Sequence, residues 1–496
     1  MTALLAALMA CTKMSPEVEP DGPAEEDGGR IITAVFGAAS KSTLKVDGLT
    51  PKFRDGDLIK VSNITASQVC TIKVSGNVAF FKTTLTGALN AVYPEEAAEM
   101  NTAGTSITGV KIPSSQSGRF EKANIAMATI PAGGRHATFE NQTAILRFYV
   151  DKSIGVSSLS IKTIGTTNIA NDGADLKVID VSPISGDIST LTADNPDPRI
   201  CYIAILSGIN ANTLTFTSHT TTQDVVERVC PTNAVLKKSG MYDAFIPYYI
   251  DLGDAGKWGY CNLGAFLPEE VGCSFTWGAT TGYRPASETT FEGGHSFVIG
   301  NDPLYNGTKY TKYTTGTGGD GKTVLESVDD AAQVNWGDSW RLPTGDNSSG
   351  DFHTLLASTY WLYVDDDKGC YVFLPSDYGT AGKHKVVTSI DETTKAKAKL
   401  FFPATGAGRH DTSSTVRERV DVNDGHYWTS WLNNSNNQEA WYMKITRSQF
   451  QSGEQSYGDA TGLAVTSYYR YYGRSIRPVY STLEFEIEKY NDPIDI

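Results

Sequence analysis

The chain has 496 residues, is 40% hydrophobic and 20% charged, and carries a formal net charge of −14. At roughly 100–200 residues per domain this length makes two to four domains. A chain this acidic repels phosphate backbones, which argues against nucleic acid as a partner. The 47 glycines, the many Thr and Ser and the scarcity of long 3.6-period apolar stretches point to a mainly β protein.

In chain order, the first feature is an apolar run over residues 3–10 that ends at Cys11. It is far shorter than the ~20 residues of a membrane-spanning helix. The sequence LMAC at 8–11 resembles a bacterial lipobox, although no Lys or Arg precedes the run. The resemblance implies that residues 1–11 are a lipoprotein signal, with Cys11 lipidated as the mature N-terminus and a lipid anchor in the membrane. Residues 12–30 hold six acids against two bases and almost no large apolar side chains, so they read as a flexible acidic tether. An acidic stretch after such a Cys resembles the surface-export signal of Bacteroidetes lipoproteins, which implies an outer-membrane, surface-exposed location.

Period-2 alternation predicts strands over residues 31–39, 144–150, 159–165, 201–206 and 213–219, and residues 52–63 read as a turn feeding a strand. The alternation also predicts a hairpin turning at Ser75-Gly76-Asn77. Short strands at this spacing fit β-sandwiches. All eight Trp lie at or after Trp258, and only Tyr93, Tyr149 and Tyr202 of the 24 Tyr precede residue 242. This shift predicts a boundary near residues 235–247.

The order of the N-terminal motifs resembles the fimbrillin family, the FimA-like or Mfa-like pilus subunits of Bacteroidetes. It comprises a lipobox, a tether, a strand, FRDGDLIKV at 53–61, ILRFYV with SLSIKTIG, and CYIAIL with TLTFTS. Members of that family usually carry Trp where Phe53 stands. The resemblance implies a first β-sandwich over 31–150 and a second β domain over 151–244. It also implies export followed by cleavage after a basic residue, here Lys41 or Lys45. Cleavage removes the first strand and opens a groove for a neighbour's strand. The family often has Arg at the cut.

The second half carries YIDLGDAGKWGYCNLGAFLPEEVGCSFTWGATT from Tyr249, DDAAQVNWGDSWRLPT from Asp329, LFFPATGAGR, YWTSW and GRSIRPV. This ordered set resembles the FISUMP family, whose fold is similar to C-type lectins. It implies a lectin-like α+β domain over 245–480. Here Ala331 and Ala332 sit in a short helix, and Arg341 and Arg477 hold loop carbonyls or the Asp329 and Asp330 carboxylates. The strict alternation of Leu483, Phe485 and Ile487 with glutamates predicts a further strand in the C-terminal segment, 481–496.

GxSxG, HExxH, P-loop and CxxC patterns are absent. Cys201 with Cys230 and Cys261 with Cys273 are open as disulfides or as free thiols. His410 and His426, with Arg409, Asp411 and Asp424, form a conceivable acid–base group, weighed against a solvated loop. Asp365-Asp366-Asp367 has the oxygen density of a calcium site but more often marks a charged turn. The sugar-binding EPN and WND signatures of true C-type lectins do not occur. No metal, cofactor or catalytic residue is expected. Ligand contact is expected on loops 283–321 and 406–437, through Tyr305, Tyr310, Tyr313, His410, Trp431 and Asn433, with the alternative that the aromatics fold back and pin the loops.

The combined expectation is a mainly β protein with a C-terminal α+β part, acting as a non-catalytic surface adhesin or pilus-associated tip or accessory subunit. It would assemble with other pilus subunits or itself by strand addition, and bind a host or bacterial glycan or protein. A stand-alone glycan-binding surface lipoprotein is the alternative, and an enzyme acting on glycans stands behind both.

Overall fold

The computed structural model describes residues 29–37, 52–150, 156–164, 166–173, 176–181, 200–220, 226–229, 233–410, 417–458 and 461–481. Cys11, Lys41, Lys45, Cys230 and the C-terminal segment beyond Ser481 therefore lie outside the described residues, as does the side chain of His410. The described chain is mainly β, with short helices concentrated in its C-terminal half.

The N-terminal unit is one eight-stranded sheet. Its order is Ser67–Thr71, Leu58–Ser62, Leu89–Tyr93, Ala126–Ile130, His136–Asn141, Arg30–Phe36, Val78–Thr83, Lys73–Ser75. The first and last of these are consecutive in the chain, separated by Ile72 alone. The sheet therefore curls until its two ends meet at one bend. The FRDGD turn makes that bend: the Ile72 N–H donates to the Asp57 carbonyl at 2.7 Å, and the Gly56 N–H donates to the Ile72 carbonyl at 2.9 Å. Gly56 sits at φ +92°, where any side chain would be strained. Phe53 is the keystone inside. Its ring stacks on Phe36 at 4.4 Å and meets Phe139 and Tyr93 edge-on at 5.1 and 5.3 Å. Ser75 pairs with Val78, so the expected hairpin closes over the two residues Gly76-Asn77.

The sequence divides the first two units at residue 150. The strands change partners earlier. Ala144–Tyr149 pairs antiparallel with Ile200–Ile205 and parallel with Met241–Ala244, so it belongs to the second unit. A buried polar knot marks the crossing. The Thr143 N–H donates to Asn141 Oδ1 at 2.9 Å, Asn141 Nδ2 to Asn124 Oδ1 at 3.0 Å, and Ser239 Oγ to the Asn141 carbonyl at 3.0 Å. The second sheet of this unit has the order Val226–Val229, Leu214–Thr220, Val156–Thr163, Val178–Val181, Ser115–Gln116. Gln116 also clips the other sheet. Its Oε1 accepts from the Ala204 N–H at 2.9 Å and its Nε2 donates to the Ala204 carbonyl at 2.8 Å.

The chain leaves the second unit at Ala244 and enters a new sheet at Tyr249–Asp251. That sheet pairs Lys257–Gly259 with Val479–Tyr480, so the two ends of the C-terminal unit lie side by side. A five-stranded sheet centred on Tyr360–Val364 and a three-stranded sheet of Gly425–Leu432, Glu439–Ile445 and Leu463–Tyr469 complete it. One apolar core runs unbroken from Ala144 and Phe148 through Tyr248, Trp277 and Trp336 to Ile476, so the second and third units share their interior.

The expected helix is Ala331–Trp336, capped by Asp330, whose side chain accepts from the N–H groups of Ala332 and Gln333. Arg477 meets carbonyls, as read from the sequence: it donates to Gly259, Tyr260 and Phe401. Arg341 differs. Its guanidinium forks onto Asp351 at 2.6 and 3.1 Å rather than onto Asp329 or Asp330, because Asp330 is taken by backbone N–H groups.

Phe53→Ala is expected to cost about 3–5 kcal/mol in the N-terminal unit, since it empties a site closed by three other rings. Urea unfolding followed by far-UV circular dichroism measures it. Tryptophan fluorescence would not, because all eight Trp lie in the C-terminal unit.

Candidate functional site

The structure brings the two expected ligand-contact loops together. The Leu325 N–H donates to the Ser430 carbonyl at 3.0 Å, and the Leu432 N–H to the Thr323 carbonyl at 2.8 Å. Farther out, Asn437 Oδ1 accepts from the Thr315 N–H and Oγ1 at 2.9 and 2.7 Å, and Asn437 Nδ2 returns a bond to the Thr315 carbonyl at 3.0 Å. The outer part of this double loop is exposed over residues 316–322 and at Asn434, Ser435 and Gln438.

Arg470 is the post on which the first loop hangs. It is fully buried and donates to the carbonyls of Lys312, Tyr313 and Asn437, each at 3.2 Å. The ring of Tyr310 lies 3.9 Å from its guanidinium carbon, and Trp277 lies 4.9 Å away. This corrects the expectation for two residues. Tyr313 is 0% exposed and Tyr310 is 8% exposed, so both pin the loop from inside and present no open face. The Tyr313 hydroxyl donates to Asp329 at 2.6 Å and accepts from the Glu326 N–H at 2.9 Å. Tyr313 also takes φ +57°, held there by Asp320, which accepts its N–H at 2.8 Å.

Tyr305 and Trp431 are half-buried, with Tyr305 edge-on to Tyr310 at 5.4 Å and Trp431 bridged through its backbone to the exposed Val324. The Asn433 amide is occupied in the turn, donating to Ser467 Oγ at 2.9 Å. His410 ends the strand Ala407–His410.

Sequence reasoning missed the segment SYYRYYGR, 467–474. Tyr468, Tyr469, Tyr471 and Tyr472 form one surface cluster with neighbouring ring centroids 5.0–6.0 Å apart. Arg474 lies beneath them, 2% exposed, between Trp428 at 4.2 Å and Tyr442 at 3.8 Å. The density of tyrosine around two arginines was the available signal.

The other candidate groups are spent structurally. Asp365 is forked by Arg447, and Asp367 accepts from Lys395 and from the Tyr371 hydroxyl, which makes YVDDDKG a charged turn. Among the described residues no group of three His, Cys, Asp or Glu is placed to hold a metal ion. Cys261 and Cys273 are free thiols, not a disulfide. Burial pushes the Cys261 thiol up to about 12, which suppresses the thiolate. His426 does not stand in a solvated loop: it is buried in the strand Gly425–Leu432, where burial and then Arg474 and Lys444 hold it well below the usual histidine range. Asp424, meanwhile, accepts from the Arg447 N–H. Of the conceivable acid–base group, His426 and Asp424 are thus occupied within the fold, and Asp411 and the side chain of His410 lie outside the described residues.

His384 is also fully buried, 4.8 Å from Phe450, with neither ring nitrogen hydrogen-bonded. Burial, then Lys383, lowers it to about 4. The folded chain thus takes up this proton less readily than the unfolded chain, whose value is near 6.5. The stability linked to neutral His384 is complete above pH ~6.5 and is lost as pH falls towards 4. The melting temperature should accordingly drop between pH 7 and pH 4.5. His384→Leu should lessen that drop, as read by calorimetry across the pH series, and an unchanged slope in the variant would contradict this account.

No protein-family model matches the chain, and no curated protein matches it. Among solved structures it is similar to a protein described as a "putative cell adhesion protein" from Bacteroides ovatus, at 11% identity and TM-score 0.29, over 44% of this chain and 91% of that one. One with the same description from Bacteroides uniformis gives 11% and 0.27, over 45% and 93%. The tip fimbrial protein Mfa3 from Porphyromonas gingivalis, with C-terminal truncation, gives 8% and 0.21, over 44% and 93%. These scores are too low to assign the fold.

Proposed function

We propose that the chain is a non-catalytic cell-surface adhesin or pilus-associated subunit. In this reading it is anchored through a lipid on Cys11, assembles by β-strand addition, and binds its ligand with the loops of the C-terminal unit. The observation that carries the assembly reading is the place of the strand Arg30–Phe36. It lies inside the eight-stranded sheet, parallel to His136–Asn141 on one side and antiparallel to Val78–Thr83 on the other. Ile32, Ala34 and Phe36 enter the core at 0–3% exposure, while Val35 faces solvent. One short segment thus supplies alternate apolar anchors and backbone pairing on both edges, antiparallel over Arg30–Ala34 and parallel over Thr33–Phe36. Cleavage after Lys41 or Lys45 would free it and leave a groove lined by Phe53, Phe81 and Phe139, which a neighbour's strand of the same pattern fills.

A chain beginning after Lys45 should melt at a lower temperature than the full chain. It should recover on adding a peptide of residues 29–40, and the intact chain should ignore that peptide. A truncated chain that neither weakens nor captures the peptide would remove the assembly reading. For the anchor, Cys11→Ser should move the protein from the membrane to the soluble fraction of expressing cells. Persistent membrane association would remove that part.

A further inference from the structure

We propose that the tyrosine cluster at 468–472 is a docking platform for a neutral carbohydrate chain. This rests on the adhesin reading above, and it adds the ligand class and the residues that meet it. Tyr468 is 41% exposed and is the single Phe, Tyr or Trp side chain standing open to solvent among the described residues. Tyr469, Tyr471 and Tyr472 are half-buried around it. Tyr469 and Tyr471 lie parallel within 20° at 5.3 Å, and Tyr468 meets Tyr469 at 69° and 5.0 Å.

The cluster is built in, not a loose patch. Tyr468 and Tyr469 end the outer strand Leu463–Tyr469 of a three-stranded sheet, opposite Ala440 and Glu439. The guanidinium of Arg474 sits 5.8 Å from Tyr468 and 5.7 Å from Tyr472, and closer still to Trp428 and Tyr442, at 4.2 and 3.8 Å. These contacts order the rings before any ligand arrives, which lowers the entropic cost of binding.

The surroundings select the class. The turn after Leu432 reaches the same end of the sheet, since the Arg470 N–H donates to the Gln438 carbonyl at 2.9 Å. It exposes Asn434, Ser435 and Gln438, which are uncharged donors and acceptors, while on the Tyr472 side the exposed Arg409 is the charged neighbour. Among the described residues of the segment 432–474, which carries the cluster and the turn, no aliphatic side chain is exposed for an apolar peptide or lipid to seek. A pyranose has an apolar C–H face and a rim of hydroxyls. Rings tipped with hydroxyls and bordered by amides match both parts. A net charge of −14 disfavours polyanionic glycans.

The test is affinity electrophoresis of the purified full chain through gels carrying mannan, galactomannan, xylan or a mixed-linkage β-glucan, with alginate as the acidic arm. At least one neutral polymer should retard the protein. Tyr468→Ala should weaken that retardation about tenfold, the worth of one good ring contact, while Tyr468→Trp retains it. Tyr468 is exposed, so the variants should melt with the parent. Three results overturn the proposal: no retardation by any neutral polymer, equal retardation of Tyr468→Ala, or retardation by alginate alone. Retardation lost in Trp431→Ala and kept in Tyr468→Ala also overturns it, by moving the site to the loops, and leaves the adhesin reading standing. Peptide capture by the truncated chain reports on assembly independently of any glycan.

Discussion

Three guanidinium groups hold the C-terminal unit together. Arg470, Arg474 and Arg477 fall within eight residues and are 0–2% exposed. Among the described residues none of them forms an ion pair with a carboxylate, though the buried Asp302 acts on Arg470 electrostatically. Burying a cation without an anion is costly. Here the cost is offset by two kinds of partner that the chain supplies in quantity. Aromatic faces stack on each guanidinium: Tyr310 and Trp277 on Arg470, Tyr442 and Trp428 on Arg474, Phe402 on Arg477. Loop carbonyls take the N–H groups of Arg470 and Arg477. Lysine could not replace these residues, because a compact ammonium cannot present a planar face and a fork at once.

This arrangement explains how long stretches with little regular structure keep a fixed shape. Residues 305–325 contain no strand of more than isolated bridges, yet their backbone is tied to the interior at Lys312 and Tyr313 and to Asn437 at the tip. Loops fixed this way can present side chains without paying an ordering entropy at the moment of binding. The same arginines place the surface tyrosines, so the anchoring of the unit and its ligand-facing chemistry share a short run of sequence.

The N-terminal unit works on a different principle. Its stability is spread over ladder bonds and a cluster of aromatic rings around Phe53. One of its central strands, Arg30–Phe36, is nevertheless joined through backbone pairing, three inward side chains and one long bond from Arg30 to the Gly87 carbonyl. A strand held in that way is replaceable by another of the same alternation, because β pairing reads period and register more than identity. The clipped seam at Asn141 and Gln116, and the core shared between the second and third units, give the rest of the chain a continuity that such an exchange need not disturb.

The sequence by itself determined whatever depends on short-range periodicity and composition. The mainly β class, the strands of alternating residues, the hairpin at Gly76 and the short helix at Ala331–Trp336 were all legible, since each follows from residues a few positions apart. Tertiary structure alone decided the rest. That Tyr310 and Tyr313 turn inward, that Arg341 meets Asp351, that His426 is buried, and that Ala144–Tyr149 belongs to the second unit all depend on partners far along the chain. Arg470 reaches Tyr313 across 157 positions and Arg477 reaches Tyr260 across 217. An aromatic residue in a loop has the same local pattern whether it faces a ligand or a buried arginine. Only the position of that distant cation separates the two fates.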